Sequence, residues 1–596
     1  MHGRTWAGML RARRQWWALG SSPLPTRLPM AYRSMNVFAN LEDSKVEKES
    51  KDDMRNEPQA ALSKSTGVVK NRKGVVATLT GLEGVHIGEI LRFVSGVEAI
   101  VMEIRTDFVR AAILGDGDSV ENGENVYRLH KSLSIPVGSG SLGRVFDALG
   151  RPMNESSSSS STSSSEDPRE GADDSATTKY DSDVCALSEL GEDTVFYDLN
   201  LEKMKPHKQL VCPRFISTRL KCLDVFRPLV AGGKFGILGP RNTKKADTAL
   251  SIMAGQLLNE ESATTEAGID GVGEADDAHF YIYVTIGRSR RGQEEIEEKI
   301  RKIGALERSI IIHAGEDSGP VLQYLAPMVA STMSNFFRDN GMHVLVVFDE
   351  LSSHHAAYEM LSEQMELARP AIVQTFARIM QHFSALPTTD GGGSSTAIAL
   401  VDTMGDVEAV IEPYVEELTT FLDSAVHVDS KLASSGLYPG IKLHSLMKST
   451  PSPYQLPMVR GFYTRIVGTL RGVNTLAQRA AMANELGIDL VEEQSDYRVG
   501  IEDEIAFPDK FEALMNQLAG QPLQLTLIAL YMATKNLLMG WELRELPSHD
   551  AAVQDFLLEE RPELLMPWPV DREVPDFVFE DLDALALTFA WRKIGR

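Results

Sequence analysis

The first pattern along the chain is a series of short apolar runs between about residues 68 and 137. Turns that contain glycine, such as those at Gly81, Gly84 and Gly96, separate these runs. Closely spaced short strands with turns between them are typical of a small β-barrel. The pattern therefore predicts a β-barrel domain over residues 66–137.

A second pattern alternates apolar runs with longer helix-like segments near residues 246–258, 291–304, 322–339 and 353–385. The runs are Phe235–Leu238, Phe280–Ile286, Ile310–Ile312, Val344–Phe348 and Ala397–Val401. Strands that alternate with helices predict a parallel sheet with helices on both faces, here an α/β domain over residues 138–455. Residues 456–596 have a helical pattern, so the chain is predicted to be an α/β multidomain protein with a C-terminal helical domain.

Two segments do not fit any of these domains. A serine-rich, acidic stretch over about residues 154–195 has the low complexity of a disordered insertion. Residues 1–45 contain several arginines and tryptophans and no acidic residue before Glu42. This composition predicts a transit peptide with a flexible lead-in, and its excess of arginine over serine favours the mitochondrion. The alternative is a basic tail that stays attached.

Charge and composition narrow the function further. The formal net charge is −24 and the body of the chain has no basic stretch, which argues against a nucleic-acid partner. No apolar run approaches the length of a membrane-spanning helix. The three cysteines have neither the parity of disulfides nor the spacing of metal ligands, so we expect inert thiols in a reducing compartment.

The loop after the first strand of the α/β domain carries the clearest chemical signal. It reads Gly239-Pro240-Arg241-Asn242-Thr243-Lys244-Lys245-Ala246. A phosphate-binding loop follows the pattern G-x-x-x-x-G-K-[ST], in which backbone amides hold phosphates and the hydroxyl holds Mg²⁺. Gly239 and Lys245 match this pattern, whereas Lys244 replaces the second glycine and Ala246 replaces the hydroxyl residue. The loop therefore predicts a degenerate nucleotide site at a helix N-terminus.

A carboxylate pair, Asp349-Glu350, follows the apolar run Val344–Phe348. In nucleotide-hydrolysing enzymes of this architecture, an acidic residue at the end of such a strand holds Mg²⁺. Asp349 is therefore the candidate metal residue. Because Ala246 cannot ligate a metal, the alternative is that Asp349 caps a neighbouring backbone amide.

Several longer motifs resemble the alpha subunit of the F-type ATP synthase head, within the rotary ATPase alpha/beta family. They are Ser134-Ile135-Pro136-Val137-Gly138, Leu142–Gly150, Gln323-Tyr324-Leu325-Ala326-Pro327, Phe336–Gly341, Phe348–Ser352, Gly391–Ala397 and Gly405-Asp406-Val407. The resemblance extends over roughly residues 68–560 in the order of the family. It implies a β-barrel, a RecA-like nucleotide-binding domain and a helical domain.

The resemblance also implies a place and partners. In this family alpha and beta subunits alternate in a ring around a central shaft, held by a peripheral stalk. Catalysis occurs at beta sites, while alpha sites bind Mg-ATP without turnover. The resemblance thus implies a protein of the mitochondrial matrix, peripheral to the inner membrane, with beta, shaft and stalk subunits as partners.

The catalytic carboxylate of the beta subunit is missing from this chain. In beta a glutamate follows the glycine that ends the strand after the phosphate-loop helix, but here Gly287 is followed by Arg288. Glu350 is the rival candidate for a base, although alpha subunits carry an acidic residue there and are not catalytic. The chain is therefore predicted to be non-catalytic. Weak metal-independent nucleotide binding and an empty vestigial site both remain open.

The arginine finger that alpha lends to the neighbouring beta site is also altered. When Pro439-Gly440-Ile441 is aligned with the family, Ser449 falls at the finger position, and one gap brings Lys448 there instead. Lys448 is the candidate substitute finger, and Arg460 is a more remote one. An ammonium lacks the planar fork of a guanidinium, so this replacement is not conservative.

These observations favour a non-catalytic alpha-type subunit that supports proton-driven ATP synthesis at neighbouring beta subunits. A repurposed alpha-like paralogue that serves as an assembly or interaction scaffold outside the ring is the second reading. An autonomous ATPase or an RNA-translocating motor is the third, and the missing base and the acidic charge weigh against it.

Overall fold

The computed structural model describes twelve stretches of the chain. They are residues 66–115, 117–153, 194–199, 214–264, 279–366, 370–404, 413–446, 454–485, 498–516, 523–566, 568 and 572–594. The predicted transit peptide lies outside these residues. The predicted serine-rich insertion also lies outside them, except for its last two positions, where a strand begins.

The N-terminal domain is a closed six-stranded barrel in the strand order β1-β2-β5-β4-β3-β6. Its strands are β1 Thr66–Lys73, β2 Val76–Thr80, β3 Glu89–Phe93, β4 Glu98–Ile104, β5 Val109–Ile113 and β6 Asn125–Ser132. Small and branched apolar side chains alternate into the interior, and Ala77, Leu91 and Val126 are fully buried there. Closure of the barrel leaves no open edge strand.

The central domain is built on a seven-stranded sheet in which every pairing is parallel. The strand order is β17-β12-β16-β15-β13-β14-β8. After β6 the strands are β7 Ser134–Val137, β8 Arg144–Asp147, β9 Val195–Asp198, β10 Phe215–Ile216, β11 Leu229–Val230, β12 Lys234–Pro240, β13 His279–Ile286, β14 Ser309–Ala314, β15 His343–Asp349, β16 Ser394–Thr403 and β17 Ser424–His427.

The central strands read as continuous apolar runs because helices cover both faces of the sheet. Two apolar cores result, one on each face, and both are formed largely by the strands β12 to β16. The edge strand β8 comes from the segment before the serine-rich stretch, and it pairs with β14 so that Phe146 lies opposite Ile312. The barrel, the parallel sheet and the helical C-terminal region confirm the predicted fold class.

Helices of the central domain are α1 Lys221–Phe226, α2 Lys245–Thr264, α3 Arg290–Lys302, α4 Gly319–Asp339, α5 Leu351–Gln364, α6 Pro370–Gln381, α7 Pro413–Thr419, α8 Ser430–Ser434 and α9 Leu443–Leu446. The helix expected near residues 353–385 is therefore wrong as one element, since two helices occupy that stretch. Proline has no amide hydrogen and is well tolerated in the first turn of a helix, where that hydrogen would have no partner inside the helix. Pro370 accordingly begins α6.

The C-terminal region contains five helices within the described residues. They are α10 Pro457–Glu485, α11 Arg498–Met515, α12 Leu523–Asn536, α13 His549–Glu560 and α14 Asp576–Ile594. Helix α12 is buried along most of its length and forms the centre of this bundle. Among the helices of the described residues, none has the length and apolar character that crossing a membrane requires.

A buried ion pair joins the central domain to the helical domain. The ammonium of Lys221, on α1, lies 2.5 Å from a carboxylate oxygen of Asp550, on α13, and both side chains are buried. Burial alone would raise the pKa of Asp550, but contacts with His549 and with Lys221 lower the pKa overall. The pair holds the two domains in one register because neither charge can be left alone in an apolar junction.

We predict that Lys221→Met destabilises the protein by about 3–5 kcal/mol, since it strands the Asp550 carboxylate without a counter-charge. Lys221→Met combined with Asp550→Leu should recover most of that loss. Urea unfolding followed by the fluorescence of the buried Trp541 and Trp568 measures both effects. Equal destabilisation by the single and double variants would contradict the ion-pair account.

Buried histidines predict a loss of stability in acid. Burial lowers the pKa of His354 to about 3, and the ring of His354 stacks on Tyr324. The folded pKa lies below the unfolded value near 6.5, so this contribution is complete above pH 6.5 and is lost as the pH falls towards 3.

We predict that His354→Phe removes about 2 kcal/mol of the stability difference between pH 7 and pH 5. The control is His86→Gln, because the His86 side chain is 85% exposed. Unfolding midpoints measured at both pH values test the difference. An unchanged pH dependence in His354→Phe would show that this ring is not the titrating group.

Candidate nucleotide-binding site

The degenerate loop lies at the carboxyl edge of the parallel sheet, between the end of β12 and the start of α2. Strand β12 is flanked by β16 and β17, so the loop sits beside the ends of both. The first backbone amides of α2 have no partner inside the helix and carry positive partial charge. The loop therefore has the strand–loop–helix setting that a phosphate site requires.

The loop keeps a left-handed backbone even where it has lost glycine. Asn242 has φ of 64° and Lys244 has φ of 58°, both in the region that glycine adopts most easily. Asparagine tolerates this conformation better than most residues, whereas a lysine there costs about 1–2 kcal/mol. The shape of the phosphate loop thus persists at Lys244 at the expense of backbone strain.

Lys245 of the loop is held inside the protein by its contacts. The ammonium of Lys245 donates to the carbonyl oxygens of Gly239 at 2.8 Å and of Pro240 at 2.7 Å. It also lies 2.7 Å from a carboxylate oxygen of Asp402, a buried residue near the end of β16. Arg241 contacts the same carboxylate at 3.1 Å, while its side chain remains 78% exposed. Asp402 therefore ties the loop to the neighbouring strand.

The carboxylate of Asp349 is occupied by an arginine of the same chain. One nitrogen of the Arg288 guanidinium donates to Oδ1 of Asp349 at 3.0 Å, and Nε lies 2.8 Å from Oδ2. The hydroxyl of Tyr283 donates to Oδ2 at 3.0 Å. Arg288 also lies 3.5 Å from Glu350. Asp349 is fully buried, and in the part of the chain that the structure describes its oxygens contact the side chains of Arg288 and Tyr283 and no backbone amide.

Asp349 and Arg288 shift each other's pKa in opposite directions. Burial raises the pKa of Asp349, and the Arg288 guanidinium and the Tyr283 hydroxyl oppose that rise without cancelling it. Burial alone would lower the pKa of Arg288, but the Asp349 carboxylate outweighs it and raises the pKa overall. A guanidinium stays protonated in proteins, so the contact is an ion pair that offsets part of the cost of burying Asp349.

Comparison with known proteins identifies the family. Residues 219–446 match the domain described as the ATP synthase alpha/beta family, nucleotide-binding domain. The ATP synthase subunit alpha of Ehrlichia ruminantium (strain Gardel) is 30% identical over 416 residues, which cover 68% of this chain and 72% of that protein. The chain belongs to the ATP synthase alpha/beta family.

Other relatives place it on the alpha side of that family. The ATP synthase subunit alpha of Ehrlichia chaffeensis (strain ATCC CRL-10679 / Arkansas) is 28% identical over 429 residues, covering 70% of this chain and 75% of that protein. The ATP synthase subunit alpha of Rickettsia canadensis (strain McKiel) is 28% identical over 400 residues, covering 65% of this chain and 68% of that protein. The resemblance to alpha subunits is thereby confirmed.

A family member is expected to have a site for Mg²⁺ beside the nucleotide, but the residues of this chain do not fit that ion. Magnesium requires oxygen ligands at about 2.0–2.1 Å in near-octahedral geometry. Ala246 supplies no oxygen, and Arg288 and Tyr283 engage both oxygens of Asp349. The metal role proposed for Asp349 therefore has no support in this geometry.

Glu350 is also poorly placed to act as a base in this alpha-like chain. It lies at the start of α5 with φ of 66°, a left-handed conformation, and its carboxylate faces Arg288. Burial raises the pKa of Glu350, while Arg288 opposes that rise. The raised pKa favours proton uptake, but the guanidinium 3.5 Å away competes with a water molecule for this carboxylate.

The substitute arginine finger cannot be placed. Lys448 and Ser449 both lie outside the described residues, so the finger remains a prediction from the sequence. Arg460 lies in the first turn of α10 and is half-buried.

Sequence reasoning missed two residues that define the site of this alpha/beta family member. Asp402 follows a predicted strand, but its partner Lys245 could be named only once β12 and β16 were known to be neighbours. The sequence identified Arg288 only as the residue that replaces the catalytic glutamate of beta. Its role as a counter-charge to Asp349 was missed. The contact follows from the strand register, in which Thr285 on β13 lies opposite Asp349 on β15.

We predict that Lys244→Gly raises the stability of the chain by about 0.5–1 kcal/mol, since it removes the left-handed strain but adds backbone entropy to the unfolded state. Lys244→Ala is the matched control, because it removes the same charge and keeps Cβ. Thermal or urea unfolding of both variants decides the point. Equal stability of the glycine and alanine variants would argue against strain at this position.

Proposed function

We propose that this chain is a non-catalytic alpha-type subunit of an ATP synthase head. It alternates with beta subunits in a ring, contacts the central shaft and the peripheral stalk, and supports proton-driven ATP synthesis at the neighbouring beta sites. The shared name of its relatives, ATP synthase subunit alpha, supports this assignment. Two thirds of the chain take part in those matches.

The observation that carries the non-catalytic role is the position of Arg288. A nucleotide hydrolase needs a carboxylate free to orient or deprotonate the attacking water. Arg288 stands where the beta subunit has that carboxylate, and it pairs with both acidic residues at the end of β15. The site therefore suits a structural or ligand-holding role better than turnover.

We further propose that the chain works in the mitochondrial matrix, peripheral to the inner membrane. The composition of residues 1–45, with several arginines and no acidic residue before Glu42, supports import. The relatives reported above come from species of Ehrlichia and Rickettsia, so the compartment rests on the N-terminal composition alone.

Native purification of the tagged full chain from isolated mitochondria tests this proposal. We expect the chain to co-purify with beta and shaft subunits, at an amount equal to beta. A reciprocal purification through tagged beta provides the control for loose association. Recovery free of beta, or with unrelated proteins only, would instead favour a scaffold outside the ring.

The non-catalytic role makes a separate prediction for the purified full chain. We expect no ATP hydrolysis above the background of the Glu350→Gln variant, because no described carboxylate at the edge of the sheet is free to act as a base. A coupled-enzyme assay with Mg-ATP measures this rate. Turnover that disappears in Glu350→Gln would overturn the role and make Glu350 catalytic.

A further inference from the structure

We propose that the loop at residues 239–246 binds the phosphate chain of a nucleotide without a divalent cation. The Arg288 guanidinium acts as the built-in counter-charge that a metal ion supplies in other members of such folds. This inference deepens the proposed function, on which it rests, because it specifies the ligand of the same site.

The carboxylates around the loop face cations of the same chain. Asp402 is paired with Lys245 and Arg241. Asp349 and Glu350 share Arg288. Three cations thus face three carboxylates, so a phosphate group that approaches the loop meets a set of charges that balances without a metal ion.

Arg288 opposes the binding of a divalent cation at Asp349. Any cation close enough to bind Asp349 would lie within a few ångströms of the Arg288 guanidinium, where like charges repel strongly because the surroundings are buried. The two oxygens of Asp349 are 2.8 and 3.0 Å from that guanidinium. Magnesium is thus opposed by charge as well as deprived of a ligand at Ala246.

The loop and the start of α2 supply groups that can hold phosphate. Lys244 is exposed at the loop, and within the described residues no ion pair engages its ammonium. Arg241 presents a largely exposed guanidinium, of which Nε makes the reported contact with Asp402, and a guanidinium has five N–H donors. The free amides at the start of α2 complete the set.

Lysine at position 244 fits this interpretation. The position adopts φ of 58°, where glycine would be easier, yet the chain carries a cation there. An additional positive charge compensates phosphate oxygens that a metal ion would otherwise neutralise. Strained backbone of this kind clusters at ligand-binding and active sites.

Isothermal titration of the purified full chain with ATP and with ADP tests the proposal. Each titration is run once with magnesium chloride and once with EDTA, at equal ionic strength. We expect the Kd values in the two conditions to agree within about threefold, since the counter-charge belongs to the protein. Affinity at least tenfold higher with magnesium would overturn the proposal, and so would the absence of binding in both conditions.

The double variant Arg288→Gln with Ala246→Thr tests the role of Arg288 directly. It frees Asp349 and restores a hydroxyl to the loop, so we expect nucleotide affinity to become at least about tenfold stronger with magnesium than with EDTA. Arg291→Gln is the matched control, because Arg291 lies on α3 with its side chain 88% exposed and loses the same charge.

A double variant whose affinity stays independent of magnesium would overturn the role of Arg288. Should that variant fail to fold in a thermal melt, the comparison of wild-type protein in magnesium and EDTA decides alone.

Failure of metal-independent binding is distinguishable from failure of the proposed function. Magnesium-dependent binding by a chain that still co-purifies with beta would overturn only this inference, whereas metal-independent binding by a chain free of beta would overturn only ring membership.

Discussion

The charge of one buried carboxylate constrains the centre of this molecule. Asp349 ends the middle strand of a parallel sheet and is fully buried, and an isolated ion there would cost several kcal/mol. The chain meets that cost with Arg288, which follows the adjacent strand β13. Because the guanidinium also reaches Glu350, the acidic end of β15 becomes a closed ion-pair cluster. In the function proposed here, this contact opposes magnesium at Asp349 and leaves neither carboxylate free to act as a base, while Ala246 removes a second metal ligand.

The same physical constraint operates where the domains meet. Lys221 and Asp550 are buried at the junction of the central and helical domains, and each is the counter-charge of the other. Lys245 and Asp402 repeat the arrangement between β12 and β16. Paired buried charges specify which elements lie side by side, whereas apolar packing tolerates small shifts. The structural role proposed for this subunit thus has a physical basis in its own framework.

The fold could be predicted from the sequence because its signals are local. Apolar runs gave the strands of the sheet, and the loop at Gly239 was placed correctly between a strand and a helix. The break before Pro370 was missed, since the apolar pattern continues through it, although proline marked the boundary. The contact between Arg288 and Asp349 is different in kind. It depends on strand order and register and joins residues that are far apart in the chain, so no local pattern could reveal it.

A cryo-EM map of the assembled complex, prepared with magnesium and ATP, tests the central claim most directly. The account predicts density for the Arg288 guanidinium against the Asp349 carboxylate in every copy of this chain, with no metal peak beside it. Phosphate density at the loop of residues 239–246 would lie against Lys244 and Arg241. A metal peak next to Asp349, with the Arg288 side chain turned away, would contradict the account.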